Sequence, residues 1–247
     1  MPRLVTIASI AASYFVFAIL LNSVGIVILQ SINSFGIGKP EASMLEGFKD
    51  LSIALVSFLV AAVIPRIGYK IALIVSLFAV SLFCLITTWV ADFIVIKLLF
   101  ACIGASFALV KVSVYSIIGQ LSGSTRAHTS LLNTIEGIFM VGSLCGYWLF
   151  GYYVDPQDPS STNWLNVYYP LSGMAFITLM LVMFAPIHKP DRPKRKSHFM
   201  EDFLAMLRMS YQPLVLVFVL SIFLYVLIEQ GIGTWLPTFN NEVLQLP

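Results

Sequence analysis

Long apolar runs separated by short polar stretches make up most of this chain. An α-helix needs about 20 apolar residues to cross the ~30 Å hydrocarbon layer of a bilayer. Runs of that length predict membrane spans at residues 7–29, 45–64, 71–89, 167–185 and 213–235, and two more within the stretch 92–154. Proline, glycine and polar residues between the runs predict loops at 31–43 and 155–166, where Trp164 is expected to lie at the membrane interface.

The stretch 92–154 consists of two apolar arms joined by a short polar turn at residues 122–128. Each arm carries one charge near its middle, Lys111 in the first and Glu136 in the second. Both charges lie at a similar distance from the turn, which places them roughly 12–15 Å beyond it, near mid-membrane. A lone charge at this depth costs about 2.5–3.5 kcal/mol. We therefore expect Lys111 and Glu136 to form an ion pair.

Two polar residues accompany this charged pair on roughly the same helix faces. Tyr115 follows Lys111 by one turn, and Asn133 precedes Glu136 by one turn. Four hydrogen-bonding groups at one depth are typical of a site for a hydroxyl-rich or anionic solute; a structural clamp between the two arms is the alternative. Asn22 at the end of the first span is predicted either to line the same cavity or to form a hydrogen bond between helices.

Glu229 in the seventh span is the second candidate for carrying a proton, because it stands in an apolar run without a neighbouring Lys or Arg. The alternative is that the Glu229 carboxylate pairs with a group outside this chain. Glu46 and Asp50, with Lys49, share one face of the second span and are predicted to form a gate or a solvated surface. Lys97 is expected to extend to the interface or to meet Asp92.

Composition restricts the class of protein. Hydrophobic residues make up 59% of the 247 and charged residues 11%, against about 25% charged in soluble domains. We predict an all-α, polytopic membrane protein with a six-helix bundle at 1–186 and a basic linker with an amphipathic surface helix at 187–211. Residues 212–247 would then form the seventh span and a polar turn that begins at Pro237. Pro65 is predicted to end the second span. The N-terminal run lacks a clear cleavage site and predicts a first helix, not a signal peptide.

Small residues and cysteines give further expectations about packing. Gly142 and Gly146 form a GxxxG pair, to which Gly137 and Gly151 add further small positions for close helix contact. The three cysteines all fall within predicted spans and are expected to be buried, inert thiols; they are Cys84, Cys102 and Cys145.

The distribution of positive charge predicts the orientation. Ten of the fourteen Lys and Arg residues fall on one side of the predicted spans: Arg3, Arg66, Lys70, Arg126 and six between 189 and 208. Loops on the other side contain mainly Asp and Glu. The positive-inside rule then places the N-terminus and the linker in the cytoplasm. The basic run 194–196 is expected to lie beside anionic lipid headgroups and not to bind nucleic acid.

This arrangement of six spans, a basic linker and a further span resembles the major facilitator superfamily. In that family the pattern G-x-x-x-D-R-x-G-R-K follows the second span. Residues 61–70 match it at Arg66, Gly68 and Lys70 and depart from it at the other three defined positions, which are Ala61, Pro65 and Tyr69. The resemblance implies that Arg66 and Lys70 take part in gating. It also implies C-terminal helices beyond this chain, which would then be a fragment or the product of a truncated gene.

Residues 225–233 are similar to the Y-V-x-x-E-x-x-I-G stretch of the fucose–galactose–glucose branch of that family. Members of the branch are sugar symporters driven by protons or sometimes by sodium. The acidic residue that fucose permeases carry near Ala108 and Leu109 is absent, and Lys111 stands close to that position. The resemblance implies transport of a sugar or other small polar organic solute.

No Ser/His/Asp set, phosphate-binding loop or metal-ligand spacing is visible, so we expect neither an enzyme nor a cofactor. We predict an alternating-access transporter of a bacterial inner (plasma) membrane, with a small polar solute, protons, lipids and the missing helices as partners. A seven-helix receptor or scaffold, and a non-functional fragment of a split transporter gene, are the alternatives.

Overall fold

The computed structural model describes residues 2–155, 157–187 and 212–245, except for the side chains at 2, 61–63, 65 and 66. Within these ranges the chain is helical and contains no strand. The helices are α1 (Pro2–Asn22), α2 (Val24–Phe35), α3 (Lys39–Ala42), α4 (Met44–Ile67), α5 (Tyr69–Trp89), α6 (Phe93–Leu121), α7 (Thr125–Tyr153), a 3₁₀ helix (Asn163–Val167), α8 (Tyr168–Phe184) and α9 (Pro213–Glu242). The all-α prediction is confirmed. The predicted amphipathic helix of the linker lies outside the described residues.

Six of the described helices are long and apolar enough to cross a membrane, namely α1, α5, α6, α7, α8 with the preceding 3₁₀ turn, and α9. The 24 residues of α4 add a seventh long helix. Large apolar side chains remain exposed on α4, α5, α7 and α9, as is expected for helices whose surroundings are lipid and not water. The chain is an integral, multi-pass membrane protein.

Several predicted boundaries are wrong, and two proline positions explain most of the error. Pro65 and Pro237 both lie inside helices, which end only at Ile67 and Glu242. A proline removes one backbone hydrogen bond, and membrane helices tolerate this loss. The second span ends instead at Gly68, whose φ of +88° is a conformation that favours glycine.

The predicted first loop, 31–43, is also shorter than expected. The first span is broken only at Ser23, and α2 then continues to Phe35 before Gly36, at a φ of +62°, caps it. The short helix α3 fills most of the remaining loop. The predicted turn at 122–128 narrows to three residues, because Ser124 caps α7 through its side chain and helix begins at Thr125.

The bundle is organised around α1 and α6. Helix α1 packs against α7, α8 and α6. Helix α6 packs against α4 and α5, and α5 also packs against α8. By comparison, α6 and α7 contact each other little, although they are consecutive. Aromatic rings of α1 connect them: Tyr14 contacts Phe107 of α6 at 6.2 Å and Phe139 of α7 at 5.7 Å between ring centroids.

The GxxxG pair forms the close contact between α7 and α1. A Cβ at Gly142 would lie 2.8 Å from the Phe15 carbonyl oxygen, and one at Gly146 would lie 3.4 Å from Ile19 Cα. The predicted role of these two glycines is confirmed. Among the described residues no atom lies within 4 Å of a Cβ position on Gly137 or Gly151, so their predicted part in close packing is wrong for this part of the chain.

Two other predictions concern the environment of side chains. Trp164 is buried against Tyr168 and donates to Ser34 Oγ at 3.0 Å, so it joins the 3₁₀ helix to α2. Its position at the membrane interface stays a prediction. Cys84 is buried and Cys102 half-buried, but Cys145 is exposed on α7.

The seventh span, α9, contacts the six-helix bundle through one end. Its residues up to Ile232 are largely exposed, whereas Thr234 and Thr238 are buried. The contact is made with α2, where a Cβ on Gly25 would lie 2.6 Å from the Gly233 carbonyl oxygen. This end of α9 is on the predicted outer side of the membrane.

Candidate functional site

The direct ion pair predicted between Lys111 and Glu136 is not formed. No nitrogen–oxygen distance within 4 Å joins them, whereas the hydroxyl of Tyr115 donates to Glu136 Oε1 at 2.7 Å. Lys111 is exposed and Glu136 half-buried, and the Tyr115 hydroxyl occupies a carboxylate oxygen that the lysine was expected to meet.

Lys111 nevertheless stays in the same group of side chains. Its ammonium nitrogen lies 5.8 Å from the centroid of the Phe107 ring and 6.0 Å from that of Tyr115. Contacts of this length between a cation and an aromatic face are weakly stabilising. Tyr115 therefore links the two charges: its ring contacts the ammonium group, and its hydroxyl binds the carboxylate.

Tyr14 completes this group and was missed by the sequence analysis. Its ring is 1% exposed and lies 6.3 Å from that of Tyr115. Its hydroxyl faces the hydroxyl of Tyr115 and the carboxylate of Glu136, so it belongs to the same polar group of side chains. A lone tyrosine in the middle of an apolar span was the only available signal.

Asn133 and Asn22, the two predicted amide groups, have different environments. Asn133 is exposed on α7, one turn before Glu136, and donates to no described residue. Asn22 donates to Ala18 O at 2.9 Å and to Ser143 Oγ at 2.8 Å, so the hydrogen bond between helices that was the alternative for this residue is formed. This bond adds a polar contact to the glycine contact between α1 and α7.

Glu229 lies apart from this cluster. It is exposed on the part of α9 that has no packed neighbours, and it forms no hydrogen bond or ion pair with a described residue. The described chain therefore brings together Lys111, Tyr115, Glu136 and Tyr14, with Asn133 beside them, but not Glu229.

Of the predicted gate residues of α4, Glu46 contacts α9. Glu46 Oε2 accepts a hydrogen bond from Thr234 Oγ1 at 2.6 Å. Lys49 is 3% exposed, and its ammonium group lies 3.4 Å from Asp50 Oδ1. The acidic residue nearest the seventh span is therefore bound to a hydroxyl, and the lysine is bound to its neighbour in the chain.

Two ion pairs at the predicted outer side were not foreseen. Lys39 on α3 pairs with Glu242 on α9 at 2.6 Å. Glu41, also on α3, pairs with Lys97 on α6 at 3.5 Å. Lys97 therefore does not meet Asp92, whose side chain instead caps α6. We call α3 with these two pairs the outer strap, because it links α6 to α9.

On the predicted cytoplasmic side, Lys70 donates to Ala185 O at 2.9 Å. A lysine at the end of a helix satisfies a carbonyl that the helix leaves free and interacts favourably with the helix dipole. Lys70 therefore fastens the start of α5 to the end of α8. The side chain of Arg66 lies outside the described residues. The described chain contains no cluster of three or more His, Cys, Asp or Glu side chains that would hold a metal.

Comparison with protein families gives one match. The family model described as Major Facilitator Superfamily matches residues 10–247, which is nearly the whole chain. No curated protein matches it.

Proposed function

The chain belongs to the Major Facilitator Superfamily and is a membrane transporter of that family, and from this premise we propose that it carries a sugar or similar small polar solute together with protons. The solute would bind at mid-membrane and reach either side by alternating access, as the two halves of such a transporter rock against each other. Lys111, Tyr115, Glu136 and Asn133 bind it in this proposal.

One observation carries the proposal: the Tyr115 hydroxyl bound to Glu136 beside an unpaired Lys111. A carboxylate, an ammonium group, two tyrosine hydroxyls and an amide offer donors and acceptors of both kinds to a solute with several hydroxyl groups. Aromatic rings from Tyr14, Phe107 and Phe139 form an apolar wall behind these groups. Small-molecule sites commonly combine an apolar lining with a few polar groups.

The absence of a direct lysine partner favours Glu136 as the proton carrier. A tight Lys111 pair would hold the carboxylate ionised, and a proton carrier must gain and lose its proton. Its partner in the described chain is a neutral hydroxyl instead. Glu229 remains the second candidate for carrying the proton. In this proposal Asn22 supports the cavity wall. The gates are formed by four residues: Glu46, Asp50, Arg66 and Lys70.

The test is uptake of labelled fucose, galactose and glucose into proteoliposomes under an imposed pH gradient. Glu136→Gln and Lys111→Met should each lower proton-driven uptake by at least about tenfold, or ~1.4 kcal/mol. Asp158→Asn, in an exposed loop, is the matched control and should transport normally. If both variants transport normally at equal protein levels, the site assignment is wrong. A folded protein that transports none of the three sugars would exclude them as substrates.

A further inference from the structure

The contact between α4 and α9 contains buried oxygen atoms without partners. One carboxylate oxygen of Glu46 accepts from Thr234, but the other, Oε1, is buried and has no partner among the described residues. Thr238 lies one turn after Thr234 on the same face of α9, and its hydroxyl is also buried and without a partner. Buried oxygens without partners among the described residues are uncommon, and here one lies on each of the two helices that this hydrogen bond joins, which points to a bound polar group or ion.

The charge at this contact is also uncompensated. No Lys or Arg nitrogen of the described chain lies within 4 Å of Glu46. The lysines of the surrounding elements are bound to other acids: Lys49 to Asp50, Lys39 to Glu242 and Lys97 to Glu41. A partly buried carboxylate without a positive partner is costly, and a bound cation would remove that cost.

A helix irregularity supplies a further oxygen. Pro237 has no backbone N–H, so the carbonyl of Gly233, four residues earlier, loses its partner within the helix. That carbonyl lies against Gly25 of α2 and belongs to the residue before Thr234. In transporters, carbonyls released at helix irregularities coordinate sodium ions or protons.

We propose that Glu46, Thr234, Thr238 and the Gly233 carbonyl bind one sodium ion at the predicted outer side of the protein. Hard cations take oxygen ligands, and one carboxylate with neutral oxygens balances a single positive charge. The site is separate from the solute cluster on α6 and α7. The part of this ion in closing the outer side rests on the proposed transport function, whereas the binding itself does not.

The proposed sodium ligands come from two different helices, α4 and α9. Glu46 belongs to the six-helix bundle, and the threonines belong to α9, so the site exists only while these helices are in contact. An ion that binds only one state stabilises that state, and above the dissociation constant the stabilisation grows with the logarithm of the ion concentration. Sodium therefore holds the outer contact closed, in addition to the exposed Lys39–Glu242 pair, which alone contributes about 0–1 kcal/mol.

The experiment is equilibrium binding of ²²Na⁺ to the purified full chain in detergent, displaced by unlabelled sodium. The original protein should show saturable binding to one site. Glu46→Gln should abolish that binding, and Thr238→Val should weaken it at least tenfold. Glu242→Gln is the matched control, because it changes a carboxylate at the same end of α9 that already has a lysine partner.

Thermal unfolding in sodium chloride or choline chloride distinguishes a variant that has lost the sodium site from a variant that has not folded. Sodium should raise the Tm of the original protein and of Glu242→Gln, and it should have no effect on a folded Glu46→Gln variant. Glu136→Gln should bind sodium normally, which separates this proposal from the solute site. Lack of saturable binding, or unchanged binding in Glu46→Gln, would overturn it.

Discussion

At the scale of single residues, one hydroxyl decides the environment of the intramembrane carboxylate. Tyr115 is placed one turn after Lys111, so its ring lies beside the ammonium group while its hydroxyl reaches Glu136 across to α7. A hydrogen bond to a charged group contributes about 1.5–3 kcal/mol, but this one is partly exposed and belongs at the lower end. The sequence placed all three residues at one depth, yet could not show which pair would bond.

Tyr115→Phe tests this bond, because it removes the hydroxyl and keeps the ring. We expect proton-driven sugar uptake to fall by roughly tenfold, the equivalent of about 1.4 kcal/mol. Tyr152→Phe is the control, since Tyr152 is 83% exposed on the same helix as Glu136 and forms no hydrogen bond through its hydroxyl to a described residue. Equal uptake by both variants would show that the Tyr115 hydroxyl has no part in transport.

At the scale of elements, the contact between α1 and α7 depends on two small positions. Gly142 lets the backbone of Phe15 come so close that even a methyl group does not fit, and Asn22 bonds to Ser143 beside it. Without a hydrophobic driving force in lipid, such close packing and interhelical hydrogen bonds hold membrane helices together. The spacing of Gly142 and Gly146 predicted a close contact, but the partner helix followed only from the fold.

Alanine substitutions at two glycines of α7 should have opposite effects. Gly142→Ala is expected to lower the free energy of unfolding by about 1–3 kcal/mol, because the added methyl group overpacks the contact with Phe15. Gly137→Ala should leave it unchanged or raise it by about 0.5–1 kcal/mol, since the methyl group meets no neighbour and helix propensity improves. Unfolding in mixed micelles with rising dodecyl sulfate measures both; a stable Gly142→Ala protein would contradict the packing.

At the scale of the whole molecule, contacts between α9 and the rest of the chain are concentrated on the predicted outer side. Gly25 against Gly233, Glu46 against Thr234 and the outer strap all lie there. The opposite end of α9 is exposed over several turns. In the proposed alternating-access cycle, this arrangement corresponds to a state closed at the outer side.

The orientation inferred from charge distribution can be tested with single cysteines in a Cys145→Ala background, which removes the exposed native thiol. A membrane-impermeant maleimide added to intact cells should label Gly38→Cys and Ser160→Cys. Gly123→Cys, in the turn between α6 and α7, should react only after the cells are permeabilised. The reverse labelling pattern would contradict the orientation inferred from the positive-inside rule, and the outer and cytoplasmic sides named above would then be exchanged.

Sequence alone determined the helical membrane class, because runs of twenty apolar residues have no other stable arrangement in lipid. It also placed the charges of the proposed solute site and the glycine pair of α7, since both follow from spacing along a helix. Helix ends were less accurate: Pro65 and Pro237 suggested breaks, but a single missing hydrogen bond does not end a helix that its neighbours support.

Only the tertiary structure decided which groups meet. The contact of α1 with both α6 and α7 brought Tyr14 beside Tyr115 and Glu136, and the crossing of α9 with α4 brought Thr234 to Glu46. Tyr14 and Thr234 are far in the chain from these partners, and no spacing links them. Helix periodicity fixes the face on which a side chain lies, whereas its partner depends on which helices pack together, a choice made by contacts over the whole bundle.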